Sequence, residues 1–157
     1  MTLRVQTTSN VDLIKEVLND QRLYEVTTED GTGPLETFNP DVIDTIWVAL
    51  IDDETIIGFM IAEQVSKAVL SVHVAIRSDE WGNSKRNVEL GKQAIALLLS
   101  AETIHKVVAQ IPVEDQHVLR YAQRVGLRRE GINRESFLRK GKLLDQYYMG
   151  MVEPQEK

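Results

Sequence analysis

Residues 69–99 constrain the fold most, because they combine a buried strand, a polar glycine-containing turn and a long helix in one uninterrupted segment. The first eight of them, Val69–Ile76, alternate between two faces, which is the period of a β-strand. Leu70 and Val72 mark an apolar face, and His73 lies on the opposite one. One face of this strand is therefore predicted to be core, and the other carries a histidine.

The helix after the turn is predicted to bury more than one side. Its apolar residues recur at helical spacing at Leu90, Ala94, Leu97, Leu98 and Ala101, with Gly91 and Ile95 widening the stripe. Where a strand leads into the N-terminus of a buried helix, backbone N–H groups and the helix dipole can hold a phosphate. The segment therefore also predicts an anion site.

Length and composition limit the class of protein. At 157 residues the chain is most simply one domain over 1–152, followed by a short tail at 153–157. The absence of cysteine excludes disulfides, thiolate metal sites and a cysteine nucleophile. A net charge of −6 argues against a general nucleic-acid binder, and no apolar run reaches membrane-spanning length. We expect a soluble cytoplasmic protein that binds neither nucleic acid nor membrane.

The remaining pattern predicts the order β, α, irregular segment, β, β, β, α, β, α, β, β. Alternation predicts strands over 3–7, 46–50, 56–62 and 107–111, and a closing hairpin of 127–134 with 143–151. Ser9 and Asp12 have the spacing of a capping box before the first helix, and Gly126 ends a helix over 114–125. Residues 30–34 are predicted to be plain loop, because no helix follows their glycines directly.

The C-terminal segment 126–150, GLRREGINRESFLRKGKLLDQYYMG, carries the most specific pattern. With the element order, it resembles the GNAT acetyltransferase superfamily, and especially the branch that acetylates ribosomal-protein N-termini. The matching places are Gly126-Leu127, Arg129-Glu130-Gly131, Arg134-Glu135-Ser136, Gly141 and Asp145. The strand histidine and the IPVEDQ turn at 111–116 also resemble acetyltransferase-like proteins encoded by phages.

The resemblance implies a GNAT-type α/β fold, with a mostly antiparallel mixed sheet and flanking helices, in which strand four splays from strand five. Acetyl-CoA, the acyl donor, is then expected in the gap, with its pantetheine on strand-four backbone at Val74 and Ile76. The family motif [QR]-x-x-G-x-[GA] for the pyrophosphate is matched by residues 86–91. The cofactor-binding residues that follow from this register are Arg86, Val88, Leu90, Gly91 and the adjacent Lys92.

Three positions depart from the family pattern. Glu89 stands where the second glycine of the motif belongs, so a register on residues 81–84 stays open as an alternative. Asp115 takes the place of the asparagine that holds pantetheine, and we predict the same role for it, although it also stands at a helix N-cap. Ala122 replaces the tyrosine that protonates the thiolate in many members, while the neighbouring Tyr121 is expected to point elsewhere.

His73 is the predicted catalytic base, because an imidazole titrates near neutrality and this one faces the acyl group in the resemblance. The alternative is a half-buried strand histidine with a structural partner. His105 and His117 show no metal-ligand spacing, and no metal is expected.

Two functions follow: an acetyl-CoA-dependent N-acetyltransferase acting on an amine acceptor, or a non-catalytic GNAT-fold binding module. Antiparallel edge strands make a homodimer possible, and the loop 24–44 with the last hairpin is expected to shape the acceptor pocket.

Overall fold

The structure, a computed structural model, describes residues 2–153, which are built around a seven-stranded sheet of order β1-β2-β3-β4-β5-β7-β6. The strands are β1 (Leu3–Thr8), β2 (Thr45–Asp52), β3 (Thr55–Gln64), β4 (Val69–Ile76), β5 (Lys106–Pro112), β6 (Arg128–Arg139) and β7 (Lys142–Val152). Within the described residues the flanking helices are α1 (Val11–Val17), α2 (Gln21–Thr27), α3 (Ser84–Leu99) and α4 (Gln116–Val125). The neighbouring strands are antiparallel except β4 and β5, which are parallel. Residues 154–157 of the predicted tail lie outside the described residues.

Apolar side chains cover both faces of the sheet. One cluster packs α3 and α4 against it through residues such as Leu90 and Leu119. The other packs α1 and α2 through Ile14 and Leu23 onto aromatic side chains that include Phe59. The central strands are therefore buried from both sides, as their long apolar runs require.

β4 and β5 lie side by side only at their N-terminal ends. Their parallel pairing joins residues 69–71 to residues 106–108 and goes no further in the described part of the chain. Beyond that point β4 continues its antiparallel pairing with β3 as far as Ile76, while β5 pairs with β7 as far as Pro112. The two strands diverge, so the splay that the resemblance implies is confirmed.

The predicted element order is confirmed except after the first helix. β4 has the predicted bounds, and α4 ends at Gly126, whose φ of 126° suits a glycine C-cap. The helix α2 was not predicted, because Leu23 is its only buried residue and the segment therefore lacks an apolar stripe. The capping-box prediction at Ser9 is wrong: the N-cap of α1 is Asn10, whose side chain accepts a hydrogen bond from the N–H of Leu13.

The predicted broad buried surface of α3 is confirmed, but two of its predicted members lie outside it. Leu97 is 39% exposed, and Ala101 lies exposed beyond the last residue of the helix. The buried face is formed by Leu90, Gly91, Ala94, Ile95, Leu98 and Leu99, together with two polar residues, Arg86 and Asn87. No helix within residues 2–153 is long and apolar enough to cross a membrane.

Residues of the C-terminal pattern form the turn and a bulge of the β6–β7 hairpin. Gly141 occupies the turn with a φ of 75°. The ladder is interrupted between Asn133 and Phe137, where Glu135, at a φ of 49°, donates its N–H to the Asp145 carboxylate at 2.9 Å. Pairing resumes after this bulge, which is why β6 extends past the predicted residue 134.

Candidate active site

A cavity of about 290 Å³ lies where β4 and β5 diverge. We call it the splay cleft, defined by residues 71–74 of β4, residues 109–112 of β5 and the α4 side chains that face them. From residue 72 onward, the edge of β4 facing β5 has no ladder partner in the described part of the chain. The backbone polar groups on a strand edge require partners, so this edge can pair with an extended ligand.

A second cavity, of about 370 Å³, lies under α2 and the loop that follows it. We call it the α2 pocket. Its lining consists of Leu18, Leu23, Tyr24, Thr27, Thr28, Thr32, Thr37, Phe38, Asn39, Trp47, Ile61, His73 and Ala75. Residues between 24 and 39 of the predicted loop 24–44 line this pocket, whereas the last hairpin contributes Phe137 and Gln146 to the splay cleft instead. That either cavity holds an acceptor remains a prediction.

His73 belongs to the lining of both cavities, as do Leu23 and Thr27 of α2. It pairs with Ile61 of β3 and, by strand alternation, shares the α1/α2 face of the sheet with Ala75. Although the side chain retains solvent contact, its apolar surroundings lower the pKa of His73 below the usual value of about 6.5, and the Glu63 carboxylate partly opposes this effect. The imidazole is neutral at pH 7, which is the protonation state a base needs.

α3 begins at Ser84, earlier than the preferred motif register requires. Asn83 is its N-cap, and the side chain of Asn83 accepts a hydrogen bond from the N–H of Arg86 at 3.3 Å. The N–H groups of Ser84 and Lys85 have no protein partner within the described residues. The free donors of this helix therefore lie beside residues 81–84, the alternative register.

Arg86, predicted to contact phosphate, is 8% exposed and surrounded by protein acceptors. Its guanidinium donates to the Glu80 carboxylate at 2.8 Å, to the Asp52 carboxylate at 3.2 Å and to the Asn87 side-chain oxygen at 3.1 Å. The amide of Asn87, itself fully buried, donates to the backbone carbonyl of Glu80 at 3.0 Å. This network attaches the start of α3 to the preceding turn and to the end of β2.

The other residues of the predicted motif lie within the first turns of α3. Leu90 is fully buried in the core, and Val88 packs against the same cluster. A Cβ atom at Gly91 would approach Val125 to 2.9 Å and Tyr121 more closely still, so this glycine permits close packing of α3 on α4. Glu89 and Lys92 are exposed. Cofactor binding by this group of residues remains a prediction.

Asp115 lines the splay cleft and is the N-cap residue of α4, but its side chain makes no capping hydrogen bond. Its carboxylate oxygens accept instead from the two terminal nitrogens of Arg139, at 2.8 and 3.1 Å. Val74 also lines the cleft, whereas the side chain of Ile76 is fully buried. The structure thus brings His73, Val74 and Asp115 to one cavity. Ile76, the last residue of β4, is not part of the cavity lining.

An aromatic cluster on the splay cleft was not predicted from the sequence. The Trp81 ring makes edge contacts with His117 at 5.1 Å and with Tyr121 at 5.5 Å between ring centres. The hydroxyl of Tyr121 is buried without a partner in the described residues, and burial raises its pKa. Ala122 lines the same cleft. His117 is at a helix start as expected. Its contact with Trp81 joins residues 36 positions apart, and no local sequence pattern indicates such a contact.

Several solved structures that share this fold are acetyltransferases. Spermidine N-acetyltransferase from Vibrio cholerae, in complex with CoA and spermine, matches with a TM-score of 0.77 and 14% identity over 96% of this chain and 95% of that one. Ribosomal-protein-S5-alanine acetyltransferase from Vibrio fischeri matches with a TM-score of 0.76 and 13% identity, over 97% and 93%. A GNAT-family acetyltransferase from Bacillus anthracis matches with a TM-score of 0.72 and 15% identity, over 95% of each chain.

Sequence comparison adds no relative to these structures. No family model matches the chain, and no curated protein matches it in sequence. At identities of 12–15% the structural likeness establishes the fold. The chain adopts the GNAT acyl-CoA N-acyltransferase fold, with a seven-stranded, mostly antiparallel sheet and flanking helices, and the predicted fold class is confirmed.

Proposed function

We propose that the protein is an N-acetyltransferase that transfers the acetyl group of acetyl-CoA to a primary amine. The observation that carries the proposal is the position of the His73 imidazole, which lines two adjoining cavities. One cavity lies beside an open strand edge, and the other lies between the sheet, α2 and the loop that follows α2. Two reactants held on either side of one base need no further assembly to react.

The splay cleft fits the donor. The free edge of β4 around Val74 offers backbone groups for the amides of pantetheine. The unpartnered N–H groups of Ser84 and Lys85, at the positive end of α3, together with the exposed Lys85 ammonium, offer an anion site for the pyrophosphate. In this assignment Arg86 does not contact the pyrophosphate. Its bonds to Asp52 and Glu80 fix the start of α3, which positions the N–H donors.

The chemistry requires little beyond placement and one proton acceptor. Acetyl-CoA supplies an activated thioester when bound. His73 accepts the proton that the amine loses as its nitrogen takes the acetyl group, and the carbon–sulfur bond breaks. Ala122 offers no hydroxyl to the departing sulfur, and the Tyr121 hydroxyl is buried. Neither residue supplies the proton that completes the thiol of CoA, so this proton comes from solvent or from the protonated His73.

Binding of acetyl-CoA tests the proposal without knowledge of the acceptor. Saturation at about one hundred times the dissociation constant adds roughly 2.7 kcal/mol to the free energy of unfolding. For a domain of this size, we expect a rise in Tm on the order of 5–10 °C, with a calorimetric heat of binding. Sodium chloride at equal ionic strength serves as the control for general ion effects. The absence of both a Tm shift and a binding heat at millimolar acetyl-CoA would contradict the proposal. That result would favour a non-catalytic use of the fold.

A further inference from the structure

We infer that the acceptor is a small primary amine with an uncharged, apolar body, of which 2-phenylethylamine is the type. This inference rests on the proposed function, since it takes the α2 pocket as the acceptor side. Its volume of about 370 Å³ falls within the usual range of small-molecule sites, about 300–1,000 Å³.

The lining of the α2 pocket carries no aspartate, glutamate, lysine or arginine side chain among the described residues. Its buried walls are apolar and include Leu18, Leu23 and Ile61. Its polar groups are the hydroxyls and amide of Thr28, Asn39 and neighbouring residues. A polyamine carries additional ammonium groups, and burying a charge without a counter-ion is costly. The pocket therefore disfavours a polycationic acceptor such as spermidine.

Aromatic side chains give the α2 pocket a preformed wall. Tyr24 and Phe38 meet edge to face at 6.5 Å between ring centres, and Phe38 meets Trp47 in the same way at 6.5 Å. The indole N–H of Trp47 donates to the Asp41 carbonyl at 2.7 Å, and the Tyr24 hydroxyl donates to the Gly33 carbonyl at 3.0 Å. With their polar atoms bonded to protein, these rings present apolar faces, which suit an aromatic or aliphatic ligand body.

His73 is the titratable base of this lining and stands where the α2 pocket meets the splay cleft. An amine that places its body against Phe38 and its nitrogen toward His73 meets the acetyl group at the boundary. The nitrogen must arrive neutral or lose its proton there. No carboxylate lines the pocket, and Glu63 acts on His73 from outside the lining, so the pocket holds the neutral amine better than the ammonium ion.

Direct binding and turnover of two amines test the inference. The probes are 2-phenylethylamine and spermidine, measured by calorimetry without acetyl-CoA and by CoA release with it. We expect 2-phenylethylamine to bind and to have a kcat/KM at least tenfold above that of spermidine. Equal or better binding or turnover of spermidine would overturn the inference, as would the absence of binding of 2-phenylethylamine at millimolar concentration.

Two variants sharpen the test. Phe38→Ala removes part of the aromatic wall, and we expect at least a tenfold weaker affinity for 2-phenylethylamine with unchanged affinity for acetyl-CoA. Asn39→Asp adds a carboxylate to the lining, and we expect the spermidine to phenylethylamine ratio to rise at least threefold. Gln6→Glu, the same charge change on the edge strand β1, is the control and should leave the ratio unchanged. An unchanged ratio in Asn39→Asp, or an equal change in Gln6→Glu, would contradict the assignment of the pocket.

Failure of the acetyltransferase proposal and failure of the proposed acceptor class give different results. A protein that binds 2-phenylethylamine but not acetyl-CoA refutes the acetyltransferase proposal and retains the ligand class of the α2 pocket. A protein that binds acetyl-CoA and acetylates spermidine in preference refutes the ligand class and retains the acetyltransferase.

Discussion

At the scale of single residues, His73 and Arg86 show how differently two predicted site residues are used. Strand alternation was enough to place His73 on the face opposite Leu70, and the structure adds that this face borders two cavities. Arg86 fitted the first position of a family motif, but its side chain is held by Glu80 and Asp52. Removing it should therefore lower stability before it affects any ligand, because two partly buried carboxylates would lose their partner.

The acid limb of the pH–rate profile reports the protonation of His73. Since apolar surroundings lower the pKa of His73, the limb should lie below about pH 6.5, and His73→Gln should abolish it while reducing kcat by roughly 10²–10⁴. Glu63→Gln removes the charge that raises the pKa of His73, so the limb should move to lower pH. The measurement is kcat from pH 5 to 8 at saturating amine, which reports groups of the enzyme–substrate complex and not the protonation of the free amine. Glu54→Gln, in the turn between β2 and β3, is the control. An unchanged rate in His73→Gln would leave that residue a structural role.

At the scale of elements, the start of α3 decides where an anion can bind. The sequence predicted the helix and its buried face, but the apolar stripe begins only at Leu90 and does not indicate where the polar first turn starts. The position of the start depends on the Asn83 cap and on contacts of Arg86 with Asp52, 34 residues earlier in the chain. Long-range contacts of this kind leave no local pattern, and for the same reason α2, with one buried residue, was not predicted.

Lys85 and Lys92 form a matched pair that tests the position of the anion site. Both are exposed lysines of α3, but Lys92 lies seven residues further along, about 10 Å at 1.5 Å per residue. Lys85→Ala should weaken acetyl-CoA binding about three- to tenfold and reduce its salt dependence, while Lys92→Ala should change affinity less than twofold. Calorimetric titrations at two salt concentrations measure both. The opposite ranking would return the pyrophosphate to the register of residues 86–91.

At the scale of the whole molecule, the β6–β7 hairpin is attached across the sheet to α2 and its loop. The Asp30 carboxylate accepts hydrogen bonds from the N–H groups of Gly141 at 2.8 Å and Lys140 at 3.0 Å. Arg139 donates to the Val26 carbonyl at 2.8 Å while paired with Asp115. These contacts join residues over one hundred positions apart, and they hold one wall of the α2 pocket against the splay cleft.

Hydrogen exchange tests this attachment. Hydrogen bonds from Gly141 and Lys140 lower the pKa of Asp30. The stabilisation by the ionised Asp30 carboxylate is therefore complete above the usual pKa of an aspartate, and it is lost as pH falls through the lowered pKa. Asp30→Ala should therefore accelerate amide exchange at residues 138–142 at pH 7. Asp12→Ala, an exposed carboxylate on α1, is the control. Equal exchange in Asp30→Ala and the parent protein would show that the contacts of Arg139 with Val26 and of Leu138 with Glu29 hold the hairpin without the Asp30 carboxylate.

The most direct measurement is a titration of the ¹⁵N-labelled protein with acetyl-CoA, followed through the chemical shift of each backbone amide. Binding in the splay cleft predicts the largest changes at residues 82–85 of the α3 start, at 72–76 of β4 and at 109–112 of β5, with smaller changes on β1. Changes confined to other surfaces, or none at millimolar acetyl-CoA, would contradict an acyl-CoA site between β4 and β5.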